Sequence, residues 1–218
     1  MLDAVLASSP MNDQEIGPLT LEGKFVNLEP LRKNHADGLA EAAAKLDWAW
    51  MIGPLRSRQD VDKRIESGLR AEARDEEYAF AVILKKEEKI IGSTAYLAVV
   101  SRHKRLEVGS TWYAPEMQGT VVNSECKFLL LKHAFEDWGA VRVQLGTSVN
   151  NTHSQSAILK LGAKFEGRLR NHGIMPDGSP RDSLLYSIIA SEWPEVKAKL
   201  VARIDKFTRP EGSARTLD

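Results

Sequence analysis

Apolar residues recur along this chain at two spacings, about every second residue in some runs and about every third or fourth in others, which separates strands from helices. Phe25, Val26, Leu28 and Leu31 lie in the run Lys24 to Leu31, which closes on a proline-bearing turn and predicts a first strand. Asn34 stands where it can cap a helix whose apolar stripe is Leu39, Ala42, Ala43 and Leu46. Ser57 and Asp60 form a capping-box pair ahead of Val61, Ile65 and Leu69, so a second helix is expected to end near Asp75. From Tyr78 the character changes. The β-rich runs Tyr78 to Leu84 and Lys89 to Leu97 are joined by the charged turn Lys85 to Glu88, and Leu106 to Tyr113 follows the basic turn Arg102 to Arg105. Three strands with short connections predict an antiparallel meander.

Helical spacing returns over Ser124 to Trp138, where Phe128, Leu131, Phe135 and Trp138, with Leu129 and Ala134, make a broad apolar face. Val141, Val143, Leu145 and Thr147 then alternate with Arg142, Gln144 and Gly146 as a strand, and Thr152 to Leu161 reads as a short helix stopped by Gly162. Strands over Lys164 to Ile174 and Ser183 to Ile189 flank the turn Pro176-Asp177-Gly178, and Ser191 to Phe207 reads as a terminal helix that tolerates Pro194 near its start. This mixed order indicates an α+β layer fold around one central sheet.

Composition narrows the picture mainly by exclusion. With 218 residues, 43% apolar and 28% charged, the chain can bury a sizeable core as one domain, expected over residues 19–208. Residues 1–18 read as a disordered arm and 209–218 as a disordered tail. Lys plus Arg and Asp plus Glu are 30 each, so no summed field recommends nucleic acid or an anionic membrane. No apolar run approaches the roughly 18 to 20 residues that span a bilayer, and Asp3 stands where a signal peptide needs basic residues. Cys126 is the one cysteine, which excludes an intramolecular disulfide and a cysteine-based metal cluster and fits a reducing, cytoplasmic setting. Cys126 and His133 on the long helix read as buried or facial residues, so no metal is expected.

The segment that carries candidate chemistry is the strand Leu106 to Tyr113, the loop Ala114 to Val122 and the helix starting near Asn123. A helix start presents unpaired amides and the positive end of the macrodipole, so a loop feeding one can cradle a pyrophosphate. Gly119 permits close approach, and Gln118, Thr120 and Asn123 offer side-chain hydrogen bonds. The run Leu106-Glu107-Val108-Gly109-Ser110-Thr111-Trp112-Tyr113-Ala114-Pro115-Glu116-Met117-Gln118-Gly119-Thr120 resembles the cofactor strand and pyrophosphate loop of the Gcn5-related N-acetyltransferases, the GNAT superfamily. Asn151-Thr152-His153-Ser154, Ala157 to Ala163 and Phe165-Glu166-Gly167 resemble the same superfamily's second cofactor segment. Arg168-Leu169-Arg170 and Arg181-Asp182-Ser183 through Tyr186-Ser187 extend the likeness, which spans Leu19 to Trp193 and is greatest to the ribosomal-protein N-terminal acetyltransferases.

The resemblance implies the GNAT fold: a mixed, mostly antiparallel sheet of about seven strands, helices on both faces, and a V-shaped splay between two central parallel strands. It implies acetyl-coenzyme A as co-substrate, an amine-bearing small molecule or a protein N-terminus as acceptor, and a homodimer. Backbone groups of Thr111, Trp112 and Tyr113 would bind the pantetheine arm as an added strand. Gln118, Gly119, Thr120, Val121, Val122 and Asn123 would cradle the pyrophosphate, and Asn151 and Ser154 would complete the cofactor site. Val121 departs from the pattern, standing where the superfamily has glycine. A β-branched side chain there would crowd a pyrophosphate, while helical dihedrals would keep its amide available.

The reaction needs a proton source for the departing thiolate and a proton acceptor for the amine. By resemblance Ser154 faces the cofactor sulfur, and its hydroxyl is the candidate acid; the position where many relatives carry a tyrosine is Ile158 here. Glu107, near the start of the cofactor strand, is the candidate base, with a plain pairing to Arg105 or Arg142 as the alternative. His172 lies near the predicted acceptor mouth, and Glu29, Asp47, Trp48 and Trp50 lie where the first helices wall that site. A second reading is a coenzyme A-binding or regulatory module of the same fold that has lost turnover.

Overall fold

The computed structural model describes residues 16–207, organised on one eight-stranded sheet. The strands are β1 (Leu21–Glu22), β2 (Val26–Pro30), β3 (Glu77–Leu84), β4 (Lys89–Val100), β5 (Arg105–Tyr113), β6 (Arg142–Ser148), β7 (Lys164–Ile174) and β8 (Pro180–Ile189). Their order across the sheet is β1-β2-β3-β4-β5-β6-β8-β7. Every neighbouring pair is antiparallel except β5 and β6. The expected meander is therefore present, and the added strand is β1, two residues long and too short to show a period.

Five helices cover the two faces: α1 (Ala36–Ala43), α2 (Arg58–Glu72), α3 (Val122–Lys132), α4 (Thr152–Leu161) and α5 (Trp193–Lys206). One buried cluster joins α1 and α2 to Ala79, Ala81, Ala95 and Trp112 of the sheet. The other joins α3, α4 and α5 to Phe80, Tyr96, Leu106, Val143 and Ile188 on the opposite face. None of these helices is long and apolar enough to cross a membrane.

Two helix starts show how far local chemistry decides. Ser57 and Asp60 make the expected box, Asp60 N donating to Ser57 Oγ at 3.2 Å and Ser57 N donating to Asp60 Oδ2 at 3.0 Å. Asn34 does not cap the first helix; a 3-10 turn at Lys33–His35 precedes α1, and His35 Nδ1 accepts from Arg32 N at 3.2 Å. The long helix expected over Ser124 to Trp138 runs as α3 and then a π turn at His133–Asp137, closed by Trp138 N donating to His133 O at 3.0 Å. Of the arm expected over residues 1–18, residues 1–15 lie outside the described residues, as does the tail expected over 209–218. Ile16 and Gly17 are packed rather than free: both are buried, and the Ile16 carbonyl accepts from His133 Nε2 at 3.0 Å.

β5 changes face halfway along. Ala95 of β4 pairs with Gly109 and Ser93 with Trp112, so β5 carries one residue more than its partner. The bulge places Ser110 at φ 47°, in the left-handed region that a non-glycine residue enters at a cost of about 1 kcal/mol. Without the extra residue, side-chain alternation would send Trp112 to the α3 face. With it, Glu107, Gly109 and Trp112 all serve the α1–α2 face, while Val108, Thr111 and Tyr113 serve the α3 face.

Helix α3 is buried almost all round, and three of its buried side chains are polar: Ser124, Glu125 and Lys127. The Glu125 carboxylate ties the helix to the first hairpin by accepting from Lys24 N, Phe25 N and Val26 N at 2.7, 2.8 and 2.8 Å. Gly23 permits that wrap, because a Cβ there would stand 2.8 Å from Glu125 Cδ and 2.6 Å from Val26 O. Lys127 Nζ donates to Thr111 Oγ1 at 2.7 Å, and Thr111 Oγ1 lies 2.8 Å from Thr94 Oγ1. No carboxylate among the described residues pairs with this ammonium, and burial lowers its pKa to about 8.

Two stability effects follow. Glu125→Gln puts an amide donor against backbone donors and should cost about 3 kcal/mol, seen as a melting temperature roughly 10 °C lower. Unchanged melting would refute the tie. For Lys127 the unfolded chain holds its proton up to about pH 10.5, while the folded chain releases it near 8. Between those values the unfolded state binds more protons, so stability rises with pH. Lys127→Met should be more stable than the native chain at pH 7 by about 2 kcal/mol, and denaturant midpoints should converge as pH approaches 10.

Candidate active site

β5 and β6 run side by side for three residue pairs, Arg105 with Arg142, Leu106 with Val143 and Glu107 with Gln144, and then part. Beyond that point β4 holds the outer edge of β5 and β8 holds the outer edge of β6, so the two inner edges face each other across a widening gap. The vertex of the gap is occupied by Glu107. Its Oε2 accepts from Gln144 Nε2 at 2.8 Å, and its Oε1 would stand 3.2 Å from a Cβ on Gly109 and 3.3 Å from one on Gly146. Two glycines, one on each strand, thus leave room for the carboxylate.

The network continues away from the gap. Arg142 Nη2 donates to Gln144 Oε1 at 3.4 Å, the Arg142 guanidinium grips both oxygens of Glu166, and Ser187 Oγ donates to Glu166 Oε1 at 2.7 Å. The Arg142 hydrogen bonds hold the Glu166 pKa down to about 2. Arg142 is therefore committed to Glu166, and the pairing of Glu107 with Arg105 or Arg142 is replaced by the neutral Gln144. Glu107 forms no salt bridge with any described residue.

At the open end of the gap lie both helix starts named in the sequence. The loop after β5 turns at Gly119, whose φ of 76° favours glycine, and enters α3. Thr120 stands just before the N-cap residue Val121: Val122 N donates to Thr120 Oγ1 at 3.3 Å, while Thr120 Oγ1 donates to Met117 O at 2.7 Å. Asn123 is not the cap. It sits in the first turn, where its Oδ1 accepts from Tyr113 OH at 3.3 Å. Val121 has helical dihedrals, φ −64° and ψ −23°, and is buried. Gln118 completes the loop just before Gly119.

Across the gap, α4 follows β6 directly. Asn151 caps it, its Oδ1 accepting from Ser154 N at 2.9 Å, and Gln155 Nε2 ties the helix to the end of β6 through Ser148 O and Val149 O at 3.2 and 2.8 Å. The half-buried Ser154 hydroxyl has no hydrogen-bond partner among the described residues, so its proton is available. Glu107 stands at the last paired residues of β5 and β6, and Ser154 in the first turn of the helix that follows β6.

Other expectations separate into wall and core. Trp112 is buried against Trp48 with ring centres 5.4 Å apart, and Tyr113 is buried, its hydroxyl pKa driven up by desolvation. Only the backbones of Thr111, Trp112 and Tyr113 remain for binding along the gap, because their side chains are spent in packing and hydrogen bonds. Glu29 lies 3.5 Å from His35 Nε2, Asp47 Oδ1 accepts from Ala49 N at 3.0 Å, and Trp50 is exposed. His172 is exposed on β7, where it lines a shallow depression with Arg168, Arg170 and Asp182. Cys126 is fully buried and its thiol is pushed up to about 12 by desolvation, which makes it inert. Among the described residues no group of three or more His, Cys, Asp or Glu is placed to hold a metal ion.

Sequence reasoning missed Gln144, the glycine pair and Lys127. Gln144 follows from pairing register, which periodicity does not reveal. Lys127 did carry a signal, since it stands four residues before Leu131 on the apolar stripe of α3.

Known proteins agree with this geometry. A family model described as an acetyltransferase (GNAT) domain matches residues 26–164. A GCN5-related N-acetyltransferase from Brucella melitensis superposes with a TM-score of 0.81 at 26% identity, covering 90% of each chain. A candidate acetyltransferase from T. thermophilus is 34% identical, with a TM-score of 0.72 over 86% of this chain and 97% of its own. Among curated sequences, the candidate ribosomal N-acetyltransferase YdaF of Bacillus subtilis is 29% identical over 92 residues, 42% of this chain and 49% of YdaF. The chain spans about half the length of the curated relatives it matches. With the parted strands, the two helix starts at their mouth and a family model covering well over half its length, this chain belongs to the GNAT acetyltransferase family.

Proposed function

We propose that the chain transfers the acetyl group of acetyl-coenzyme A to a primary amine by direct attack in a ternary complex, over a domain spanning residues 19–208. The observation that carries this reading is the parting of β5 and β6 beyond Glu107, with the Gly119 turn and the start of α3 at the open end. When bound, acetyl-coenzyme A supplies the thioester that the amine attacks. The unpaired inner edge of β5 from Gly109 to Tyr113 holds the pantetheine arm by backbone hydrogen bonds. Amides at the start of α3, with Gln118, Thr120 and Asn123, hold the pyrophosphate, and the helical dihedrals of Val121, which leave its amide at the helix start, support that fit.

Glu107 takes the proton of the incoming ammonium, directly or through one water, and Gln144 orients it for that purpose. A carboxylate held by a neutral amide keeps its charge for the substrate, which one paired to arginine would not. Ser154 donates its proton toward the departing sulfur, and Asn151 fixes the helix turn that presents it. The acceptor is a protein N-terminus or a small-molecule amine. We place the enzyme in the cytoplasm, acting as a homodimer without a metal.

Glu107→Gln should lower kcat by about a hundredfold, with part of the loss recovered as pH approaches the amine's own pKa. Ser154→Ala should lower kcat with little change in acetyl-coenzyme A affinity. Thiol release and calorimetry read these effects; full activity in Glu107→Gln would remove it as the base. Val121→Gly should leave affinity within about threefold and cost about 1 to 2 kcal/mol of stability. Tighter binding in Val121→Gly would mean the valine obstructs the cradle. Micromolar acetyl-coenzyme A binding without turnover of any amine would favour the regulatory-module reading.

A further inference from the structure

The α1–α2 face of the parted strands carries a second charged group that forms no ion pair with a described residue. Arg181 lies on β8 directly opposite Gly173 of β7, in the same alternating row as Ser183, Leu185 and Ser187. That row serves the Glu107 face. Leu185 pairs with Gly146, a Cβ on Gly146 would touch both Leu185 Cδ2 and Glu107 Oε1, and Ser187 donates to Glu166 of the same network. Across from Arg181, a Cβ on Gly173 would stand 2.8 Å from Ile52 Cδ1, so the segment between α1 and α2 closes over this end of the row.

Two arginines of the neighbouring strands have partners. Arg142 is held by Glu166 and Arg168 by Asp182. Arg181 forms no ion pair with any described residue, and its Nε is a buried donor with no hydrogen-bond partner. Desolvation lowers its pKa, against the attraction of Glu107. A half-buried guanidinium is costly without a partner, and its planar fork matches a carboxylate or phosphate. Trp48 Nε1, another buried donor without a partner, belongs to the wall on the same face.

We infer that Arg181 binds an oxyanion on the acceptor, so that the preferred acceptor is a primary amine bearing a nearby carboxylate or phosphate. Glu107 receives the ammonium end and Arg181 the anionic end. This rests on the acetyl-transfer reading above and adds the chemical class of the acceptor. Arg181 thereby acts as a specificity residue, because an acceptor without the oxyanion leaves the guanidinium unpaired.

The test uses paired acceptors with the full-length protein and acetyl-coenzyme A. Phenylalanine against phenylethylamine samples a carboxylate, and O-phosphoethanolamine against ethanolamine samples a phosphate. The native protein should favour the oxyanion-bearing member of at least one pair by tenfold or more in kcat/KM, and the pair that does so identifies the source. Arg181→Gln should bring that ratio to about one, and Arg181→Lys should restore part of it. A native ratio near one, or a ratio unaltered in Arg181→Gln, overturns the inference while acetyl transfer stands. No thiol release with any amine overturns the acetyl-transfer reading and this inference with it.

Discussion

Neighbouring strands that stop pairing leave backbone amides and carbonyls facing each other with nothing between them, and such groups are almost always satisfied in native proteins. In this chain the problem is placed at the centre of the sheet, where β5 and β6 part after Glu107 and Gln144 while β4 and β8 continue to hold their outer edges. An open edge at a sheet's border can be left to water or blunted by charge. A gap between two anchored strands can be filled only by something extended that offers its own donors and acceptors. The rest of the site is arranged around that requirement, with both helix starts at the wide end and the carboxylate at the narrow one.

The gap stays open because the elements beside it are held independently of each other. α3 is fixed to the first hairpin through Glu125 and to β5 through Lys127 and Thr111, while α4 is fixed to β6 through Gln155. Neither anchor crosses the gap. The bulge at Ser110 adds a second control, since the shift of one residue gives Trp112 to the α1–α2 core and Thr111 to Lys127. One strand thus packs two opposite cores and still keeps its inner edge clear.

How much of this was legible depended on the range of the physics involved. Local signals were read well: the Ser57 and Asp60 cap, the three-stranded meander, the strand over residues 141–147 and the stop at Gly162, whose φ is 106°. The order of motifs along the chain led to the cofactor loop and to Asn151 and Ser154. Asn34 was expected to cap the first helix from its residue type, yet the side-chain contact at that start is made by His35, whose Nδ1 accepts from Arg32 N, because such a bond is decided by which side chain reaches a free amide. The partners of Glu107 and Arg142 were out of reach, since they depend on a parallel register between segments about forty residues apart and on a β7–β8 hairpin folded beside them.

Three charged side chains differ in how the fold treats them, and the difference separates scaffold from site. Glu125 receives three amide hydrogen bonds and is satisfied without any ligand. Glu107 receives one, from a neutral amide, and Arg181 has a buried donor with none. Folding selects against buried charge that lacks a partner, so the incomplete satisfaction of Glu107 and Arg181, both on the α1–α2 face of the parted strands, is not a feature stability alone would keep. It is what a face shaped to receive a charged molecule requires, because a group already neutralised by its own chain has little affinity left for another.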